Sequence, residues 1–319
     1  MLAPLPTVSV CCITYNHEAY LAQAIESVLA QQADFAVEIV IGEDCSTDST
    51  RRIAQEYERK YPGRIRVLTP AHNLGIMPNL MATMASCTGE FIAFLEGDDY
   101  WTDLTKLQRQ VAALRTRPAC AMCFHDAEIF YDDSSNPARN FSEKFVEILP
   151  APESDYREFT QYDLGRLGWF MPSAAMLFRA SSLLPLPAWL AGVFSGDYTL
   201  QLLSTSHGPA LYLPRLMSRY RLHAGGVMQT SHNTMAQNGR RIFEHEQYLR
   251  AFEPSLHRFF NQYLEHLYFE RSEKLGQAGQ RWQQLYFYLK AVSVDGERLR
   301  HHAKRLISQL SEKAGATKI

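Results

Sequence analysis

Short apolar segments that alternate with helical ones constrain the fold of this chain more than any other feature of its sequence. The apolar segments are Thr7–Thr14, Val37–Gly42, Ile65–Thr69, Gly89–Leu95 and a fifth that begins at Ala119. Helical segments separate them: Glu18–Gln31, the region after the capping residues 46–49, Pro78–Ala85 and about Asp103–Thr116. Strands without polar alternation, separated by helices, indicate a mostly parallel sheet covered on both faces. We therefore predict an α/β, Rossmann-like doubly wound sheet flanked by helices.

The second half of the chain continues this pattern and then changes. The polar, irregular segment Asp132–Gly165 predicts an insertion or a loop. Pro172–Arg179 and Leu211–Leu222 are predicted strands, with a helix near Tyr198–Ser206 between them. From about Thr234 onward the pattern is helical and rich in aromatic residues, which predicts a separate C-terminal helical subdomain.

The composition excludes several classes of protein. With 319 residues, 46% hydrophobic and 21% charged, the chain is not collagen-like, coiled-coil or disordered overall. Its net charge of -2 lacks the basic excess of a nucleic-acid-binding protein, so no nucleic acid partner is expected. No run of about 18 apolar residues is present, and residues 1–6 lack the charged region of a signal peptide, so we expect a cytoplasmic protein. The six cysteines are expected to be reduced, because a lone Cys120/Cys123 pair does not complete a zinc site.

The strongest local signal is an acidic segment at the end of an apolar strand. Glu96, Asp98 and Asp99 follow the strand directly within the sequence FLEGDDYW. Adjacent carboxylates repel one another, and a hard divalent cation removes that cost. Carboxylates suit Mg²⁺ or Mn²⁺, especially where a substrate supplies phosphate oxygens. The alternative is an acidic helix N-terminus in which Asp98 or Asp99 caps the next helix.

Polar residues also end the neighbouring strands. Tyr15 and Asn16 follow the first strand, and Asp44 follows the second. Ligands of doubly wound sheets gather at the carboxyl ends of the strands. Tyr15 could stack on a planar base, and Asp44 could accept a hydrogen bond from an N–H of that base. Ordinary loop packing for Tyr15 and a capping turn for Asp44 are the alternatives.

Motifs that occur in a fixed order resemble those of family 2 glycosyltransferases, which share the GT-A fold. The motifs are CITYN (Cys12–Asn16), EDCSTD (Glu43–Asp48), NLG (Asn73–Gly75), GEFIAFLEGDD (Gly89–Asp99) and KLQ (Lys106–Gln108). The resemblance covers roughly Thr7 to Val227. It implies a GT-A domain at 1–230, with a nucleotide-binding half of about 1–131 and an acceptor half of about 132–230. A C-terminal helical subdomain would then occupy 231–319. The absence of G-x-G-x-x-G disfavours a dinucleotide oxidoreductase.

The resemblance implies roles for individual residues. The nucleotide-binding residues would be Thr14, Tyr15, Asn16, Asp44, Asn73, Glu96 and Gly97. Asp44 would hydrogen-bond the base, most often uracil, and Glu96 would lie near the ribose or the sugar. Asp98 would ligate the Mn²⁺ or Mg²⁺ ion that bridges the two phosphates. Asp99 would support the sugar or the loop.

Two downstream segments complete the resemblance. SGDYTLQ (Ser195–Gln201) resembles the segment with the general base, so Asp197 would take a proton from the acceptor hydroxyl; a helix N-cap is the alternative. SRYRLHAGG (Ser218–Gly226) resembles the family's Y-R-x-H element. His223 would be a metal ligand or a diphosphate contact, and Arg221 would be structural or would hold the diphosphate.

Two tryptophans are further candidates for sugar contacts. Trp101 follows the acidic segment, and Trp169 lies in Leu167–Pro172, where an acceptor wall is expected. Packing of either ring in the core is the alternative.

The implied reaction is inverting transfer of a sugar from a nucleotide diphosphate sugar, most often a UDP-sugar, to a hydroxyl of a glycan or lipid-linked acceptor. It is a hexosyltransferase-like activity typical of bacterial surface-polysaccharide synthesis. A non-catalytic sugar-nucleotide-binding or scaffolding relative is the main alternative. A nucleotidyltransferase is a weaker one, because Thr14–Glu18 is not a glycine-rich basic phosphate loop.

The C-terminal part carries the basic charge of the chain. Met235–Ile319 contains 14 Lys and Arg against 9 Asp and Glu, a net +5, so the preceding part carries -7. A solvated helical surface explains this excess, and attraction to an anionic membrane or a charged partner is the alternative. These helices could dock at the inner face of the membrane, close the sheet or form a homodimer.

Overall fold

The computed structural model describes residues 7–149, 155–226 and 234–294, which form two compact units. The larger unit comprises the described residues up to Ala191 and those from 195 to 226. The smaller unit comprises Gly192–Phe194 and residues 234–294. The predicted helical subdomain at 231–319 is therefore described only over 234–294. Residues 1–6, on which the signal-peptide argument depends, lie outside the described part.

Within the described residues, ten strands form one sheet in the larger unit. They are β1 (Val8–Thr14), β2 (Val37–Glu43), β3 (Ile65–Leu68), β4 (Phe91–Glu96), β5 (Tyr100–Trp101), β6 (Met122–Tyr131), β7 (Arg139–Asn140), β8 (Arg157–Phe159), β9 (Leu177–Arg179) and β10 (Ala210–Leu222). Their order is β3-β2-β1-β4-β9-β6-β10-β5, with β7 beside β6 and β8 beside β10. The six strands β1–β4, β6 and β10 run in one direction, and the four short strands run against them. The predicted mostly parallel α/β sheet is confirmed.

Helices follow the strands in the order expected. In the larger unit they are α1 (Leu21–Leu29), α2 (Thr50–Lys60), α3 (Ile76–Ala85), α4 (Lys106–Thr116), α5 (Gln161–Leu167) and α6 (Gly196–Thr205). In the smaller unit they are α7 (Met235–Ala251), α8 (His257–Gln277) and α9 (Arg281–Val294). The predicted C-terminal helices are present. Over the described ranges, no helix combines the length and the apolar character that a membrane crossing requires.

The apolar strands form the core of the larger unit. Every residue of β1 is buried, because β2 and β4 pair with it on either side and helices pack on the sheet. Val10 and Leu95 of the sheet share one buried cluster with Ile25 of α1 and Leu107 of α4. Burying each such side chain contributes about 1.5–3 kcal/mol, which explains why the apolar runs predicted these strands well.

Two predicted segments differ from the structure. Only Leu177–Arg179 of the predicted strand Pro172–Arg179 pairs in the sheet, and Ser173–Ala175 forms a 3₁₀ helix. The carbonyls of Ala174 and Ala175 there accept hydrogen bonds from side chains instead of from a neighbouring strand. The polar segment 132–165 contains β7, β8 and most of α5 rather than a loop alone, and its residues 150–154 lie outside the described part. All six cysteines are free thiols.

Candidate functional site

The carboxyl ends of three neighbouring parallel strands meet at one edge of the sheet. Thr14, the last residue of β1, is paired with Glu43, the last residue of β2. One residue earlier, Ile13 is paired with Glu96, where β4 ends. The loops that carry the predicted nucleotide and metal residues therefore start side by side.

Gly97 lets the acidic segment come close to the loop after β1. A Cβ atom on Gly97 would lie 2.6 Å from Thr14 Oγ1 and 3.0 Å from His17 Nδ1. The amide of Gly97 donates to the carbonyl of Ile13 at 2.9 Å. Thr14 is buried against this contact, and its hydroxyl has no hydrogen-bond partner among the described residues. Gly97 and Thr14 thus shape the loop, and their contact with a nucleotide stays a prediction.

The loop after β1 presents Tyr15 and is tied to the loop after β2. The ring of Tyr15 is exposed, as a base-stacking residue must be. Asn16 has a positive φ of 55°, its amide donates to Ser46 Oγ at 3.0 Å, and its Oδ1 accepts from the amide of Thr47 at 2.8 Å. Asn16 therefore fixes the loop.

Asp44 and Asn73 hold the segment that begins α3. The two carboxylate oxygens of Asp44 accept from the amides of Leu74 at 2.7 Å and Gly75 at 2.9 Å. Asn73 Nδ2 donates to the carbonyl of Asp44 at 2.8 Å. Asp44 therefore makes capping-type hydrogen bonds, but to the amides just before α3, so the capping alternative is met by a different helix from the one that follows Asp44 in sequence. A carboxylate oxygen accepts more than one hydrogen bond, so contact of Asp44 with a base stays a prediction.

Asp98 lies between two histidines. His223 Nε2 is 3.1 Å and His17 Nε2 is 3.7 Å from Asp98 Oδ2. One donor atom from each of the three residues lies within 4.8 Å of the others. His223 directly follows β10, and His17 lies in the loop after β1, so two distant parts of the chain converge here. The sequence reasoning included Asp98 and His223 but missed His17, whose signal was its position one residue after the CITYN motif.

The electrostatics of Asp98 favour a cation. Burial raises the pKa of Asp98, but the hydrogen bond with His223 and the charge of His17 outweigh burial, so the pKa lies below its ordinary value. Burial lowers the pKa of His17, with a smaller opposing contribution from Asp98. A carboxylate between two imidazoles is a donor set that fits a divalent metal ion. His17 Nδ1 has no hydrogen-bond partner among the described residues.

Arg221 makes the contacts expected of the structural role that was weighed for it, and contact of Arg221 with a diphosphate stays a prediction. The backbone amide of Arg221 donates to Asp99 Oδ1 at 2.8 Å, and its Nε donates to the carbonyl of Asp98 at 2.9 Å. The remaining guanidinium nitrogens contact Asp132 and Gln23 Oε1. The side chain is buried, and its hydrogen bonds join the acidic segment to Asp132 and to Gln23 of α1.

Asp99 and Trp101 likewise make the contacts expected of the structural alternatives weighed for them, and contact of either residue with a sugar stays a prediction. Asp99 is buried, its Oδ1 is taken by Arg221, and burial followed by the charges of Asp98 and Glu96 raises its pKa. Trp101 is only 4% exposed, and its indole nitrogen donates to the carbonyl of Ala174 at 3.0 Å. Asp99 therefore supports the loop, and Trp101 belongs to the core.

Asp197 lies in the first turn of α6. Its Oδ1 accepts from the amide of Tyr198 at 2.8 Å, and its Oδ2 accepts from Trp169 Nε1 at 2.5 Å. Ser195 occupies the N-cap position, so Asp197 is not the cap that was weighed as its alternative. Trp169 therefore holds the carboxylate of Asp197 directly, a contact that the sequence did not indicate.

Glu96 links the acidic segment to Asp197. Its carboxylate accepts from Ser173 Oγ at 2.8 Å. Burial, then the charge of Asp98, raises the pKa of Glu96 to about 8, and the charge of Asp197 adds to the shift. Tyr220 of the Y-R-x-H element, for which no role was predicted, has its pKa raised by burial and by four carboxylates: Glu96, Asp99, Asp98 and Asp197. These four acids therefore share one electrostatic environment.

The sequence of this chain is similar to those of known proteins. The family model described as "Glycosyl transferase family 2" matches residues 9–184. An uncharacterized protein of Mycobacterium tuberculosis is 32% identical over 224 residues, which cover 70% of this chain and 61% of the relative. The chain thus spans less than two thirds of the length of that relative.

Two solved structures share the fold. Residues 1–349 of S. aureus TarS, in complex with UDP-GlcNAc, give a TM-score of 0.62 at 16% identity over 90% of this chain and 81% of that one. The mannosyltransferase PcManGT from Pyrobaculum calidifontis, in complex with GDP-Man and Mn²⁺, gives a TM-score of 0.56 at 13% identity. The match covers 97% of this chain and 81% of that one. At these identities the likeness concerns the fold. The family model spans more than half of the sequence, and on that match the chain belongs to glycosyl transferase family 2.

Proposed function

We propose that this glycosyltransferase moves one sugar from a nucleotide diphosphate sugar, with UDP as the nucleotide, to a hydroxyl of a glycan or lipid-linked acceptor. One observation carries the proposal: Asp98, Glu96 and Asp197 share one electrostatic environment at the carboxyl edge of the sheet, in a family 2 chain. This edge is where open α/β sheets bind nucleotides.

The donor would lie over the loops after β1 and β2. The exposed ring of Tyr15 would stack on the base, and Asp44 would accept a hydrogen bond from it. TarS binds UDP-GlcNAc and PcManGT binds GDP-Man on the same fold, which supports a nucleotide sugar as the donor. Glu96 would lie near the ribose or the sugar.

Asp98 and His223 would hold the divalent cation, Mn²⁺ or Mg²⁺. When bound, such an ion neutralises charge on the leaving diphosphate. The chain's own contribution is to keep Asp98 ionised and fixed, through the hydrogen bond with His223 and the backbone contact with Arg221.

Asp197 would act as the general base in an inverting reaction. Its position at the start of α6, with one oxygen held by Trp169, leaves its orientation well defined. A base that deprotonates the acceptor hydroxyl in the transition state contributes about 10²–10⁴-fold in rate. A non-catalytic nucleotide-sugar-binding relative would not need this carboxylate, and its placement beside Glu96 favours the enzyme.

The experiment measures transfer and slow hydrolysis of a panel of UDP-sugars and GDP-sugars, with Mn²⁺, with Mg²⁺ and with EDTA. We expect one donor to turn over with a divalent cation, and Asp197→Asn to reduce turnover by about 10²–10⁴-fold while donor binding persists. Donor binding without any turnover would favour the non-catalytic relative. Full activity of Asp197→Asn would show that another group is the base.

A further inference from the structure

His17 stands out among the residues that the sequence reasoning passed over. Its Nε2 and that of His223 approach the same carboxylate oxygen, Asp98 Oδ2, from two separate loops. We propose that His17 is a third protein ligand of the cation and makes the site select first-row transition ions such as Mn²⁺ over Mg²⁺. The inference rests on the proposed function and specifies its metal.

The backbone holds His17 in place. Its amide donates to Thr50 Oγ1 at 2.8 Å, at the start of α2. Its carbonyl accepts from the amides of Tyr20 and Leu21, both at 2.9 Å, where α1 begins. The side chain of His17 is 18% exposed, and its Nδ1 lies against Gly97. A ligand anchored to two helices in this way needs little reorganisation on binding an ion.

His223 is fixed from the opposite side. Its ring packs against that of Tyr20 with centroids 4.7 Å apart, and the hydroxyl of Tyr20 donates to Asp132 at 3.0 Å. The rings of His17 and His223 are nearly perpendicular, with centroids 6.1 Å apart. The two imidazoles thus face Asp98 without stacking on each other.

The donor chemistry sets the preference among ions. The donor atoms that converge here come from His17, Asp98 and His223, whereas Glu96 accepts from Ser173 and Asp99 Oδ1 accepts from Arg221. The protein therefore offers two nitrogens and one carboxylate. Mg²⁺ prefers oxygen ligands and dehydrates reluctantly. Mn²⁺ also takes oxygen ligands, but as a first-row transition ion it accepts imidazole nitrogens, with the weakest affinity of that series. Loss of one imidazole should weaken binding of Mn²⁺ more than binding of Mg²⁺.

The test uses the full chain, UDP and Mn²⁺, and it does not depend on activity. Mn²⁺ affinity is measured by EPR titration, and nitrogen ligands are counted from the ¹⁴N couplings in pulsed EPR. Mg²⁺ affinity follows from competition with Mn²⁺. We expect two coupled imidazoles in the wild type and one in His17→Gln, with Mn²⁺ affinity reduced about 10-fold or more. The matched control His207→Gln alters an exposed histidine of the larger unit. It should leave the number of coupled imidazoles and the Mn²⁺ affinity unchanged.

A second variant keeps the test decisive if His17→Gln folds poorly. His17→Asp replaces the nitrogen by an oxygen ligand, and the ratio of Mn²⁺ to Mg²⁺ affinity should fall. Unchanged ¹⁴N couplings and an unchanged affinity ratio in both variants would overturn the role of His17 while leaving the proposed reaction intact. A wild type that binds no Mn²⁺ in the presence of UDP would overturn this inference and the metal dependence of the proposed function together.

Discussion

At the scale of single residues, the contact between Trp169 and Asp197 says most about how the proposed base is held. The indole nitrogen donates to Asp197 Oδ2 at 2.5 Å, and the ring of Trp169 packs edge-on against Phe141 at 5.1 Å between centroids. Trp169 is thus held by the core while it holds the carboxylate. We therefore expect Trp169 to position the proposed base, and contact of its ring with a sugar stays a prediction.

Removing the indole donor should reduce turnover. Trp169→Phe keeps an aromatic ring but leaves Asp197 Oδ2 without this hydrogen bond. A hydrogen bond to a charged group is worth about 1.5–3 kcal/mol, so we expect kcat to fall roughly 10- to 100-fold with little change in donor KM. The control Trp282→Phe alters an exposed tryptophan of α9 and should behave as the wild type. An unchanged kcat in Trp169→Phe would remove the positioning role.

Arg221 should be essential for the acidic segment. Arg221→Lys cannot reproduce the contacts of one guanidinium with the carbonyl of Asp98, Asp132 and Gln23. We expect the free energy of unfolding to fall by about 2 kcal/mol and Mn²⁺-dependent UDP binding to weaken. Urea unfolding and calorimetry measure the two effects. Arg219→Lys, on the same strand and more exposed, should cost about 1 kcal/mol or less; equal losses in both variants would contradict this role of Arg221.

At the element scale, α4 fastens the acidic edge to the core through a buried lysine. Lys106 Nζ lies 3.9 Å from the centroid of Trp101 and donates to Gln110 Oε1 at 2.7 Å. Gln110 Nε2 in turn donates to the carbonyl of Ala175 at 2.8 Å. Lys106 of the KLQ motif thus anchors β5, and Gln110, two residues after the motif, anchors the 3₁₀ helix before β9. Its sequence resemblance alone did not indicate this role.

The buried amine predicts a pH dependence of stability. Burial lowers the pKa of Lys106 from 10.5 to about 7, while Cys123 and Asp103 raise it slightly; His125 is the other titratable group that interacts with it. Between about pH 7 and 10.5 the folded state binds fewer protons here than the unfolded state, so the free energy of unfolding rises with pH.

Lys106→Met should remove this dependence. The free energy of unfolding of the wild type minus that of the variant should increase between pH 7 and 9, by at most about 1.4 kcal/mol per pH unit. Urea unfolding at several pH values measures the difference, and Lys60→Met, at an exposed lysine of α2, serves as the control. Parallel curves for wild type and Lys106→Met would contradict a lowered pKa.

The same elements show what the sequence could predict. Strands such as β1 and β4 were predictable because a short apolar run without polar alternation is typical of a strand buried on both faces of a parallel sheet. The strand at Pro172–Arg179 was predicted too long, because Trp101 and Gln110 capture the carbonyls of Ala174 and Ala175 from far along the chain. The inward roles of Arg221 and Trp101 depend on similar long-range contacts, which local patterns do not contain.

At the scale of the whole molecule, every residue proposed to take part in the reaction belongs to the larger unit. The family model ends at residue 184, before Asp197 and His223 and before the smaller unit. That smaller unit has its own buried cluster, which includes Ile242, Leu264 and Tyr268. It also exposes Trp282, Tyr286 and Leu289, spaced along one side of α9. Membrane contact and self-association of these helices stay predictions.

The central claim is that the acidic edge of the sheet binds a cation together with a nucleotide diphosphate. Isothermal titration of UDP into the full chain tests it most directly, with Mn²⁺ and with EDTA, in the wild type and in Asp98→Asn. We expect UDP to bind in Mn²⁺ and its affinity to fall about 10-fold or more, a loss of about 1.4 kcal/mol, in EDTA and in Asp98→Asn. Equal affinity for UDP in all these conditions, or no affinity in any, would contradict it.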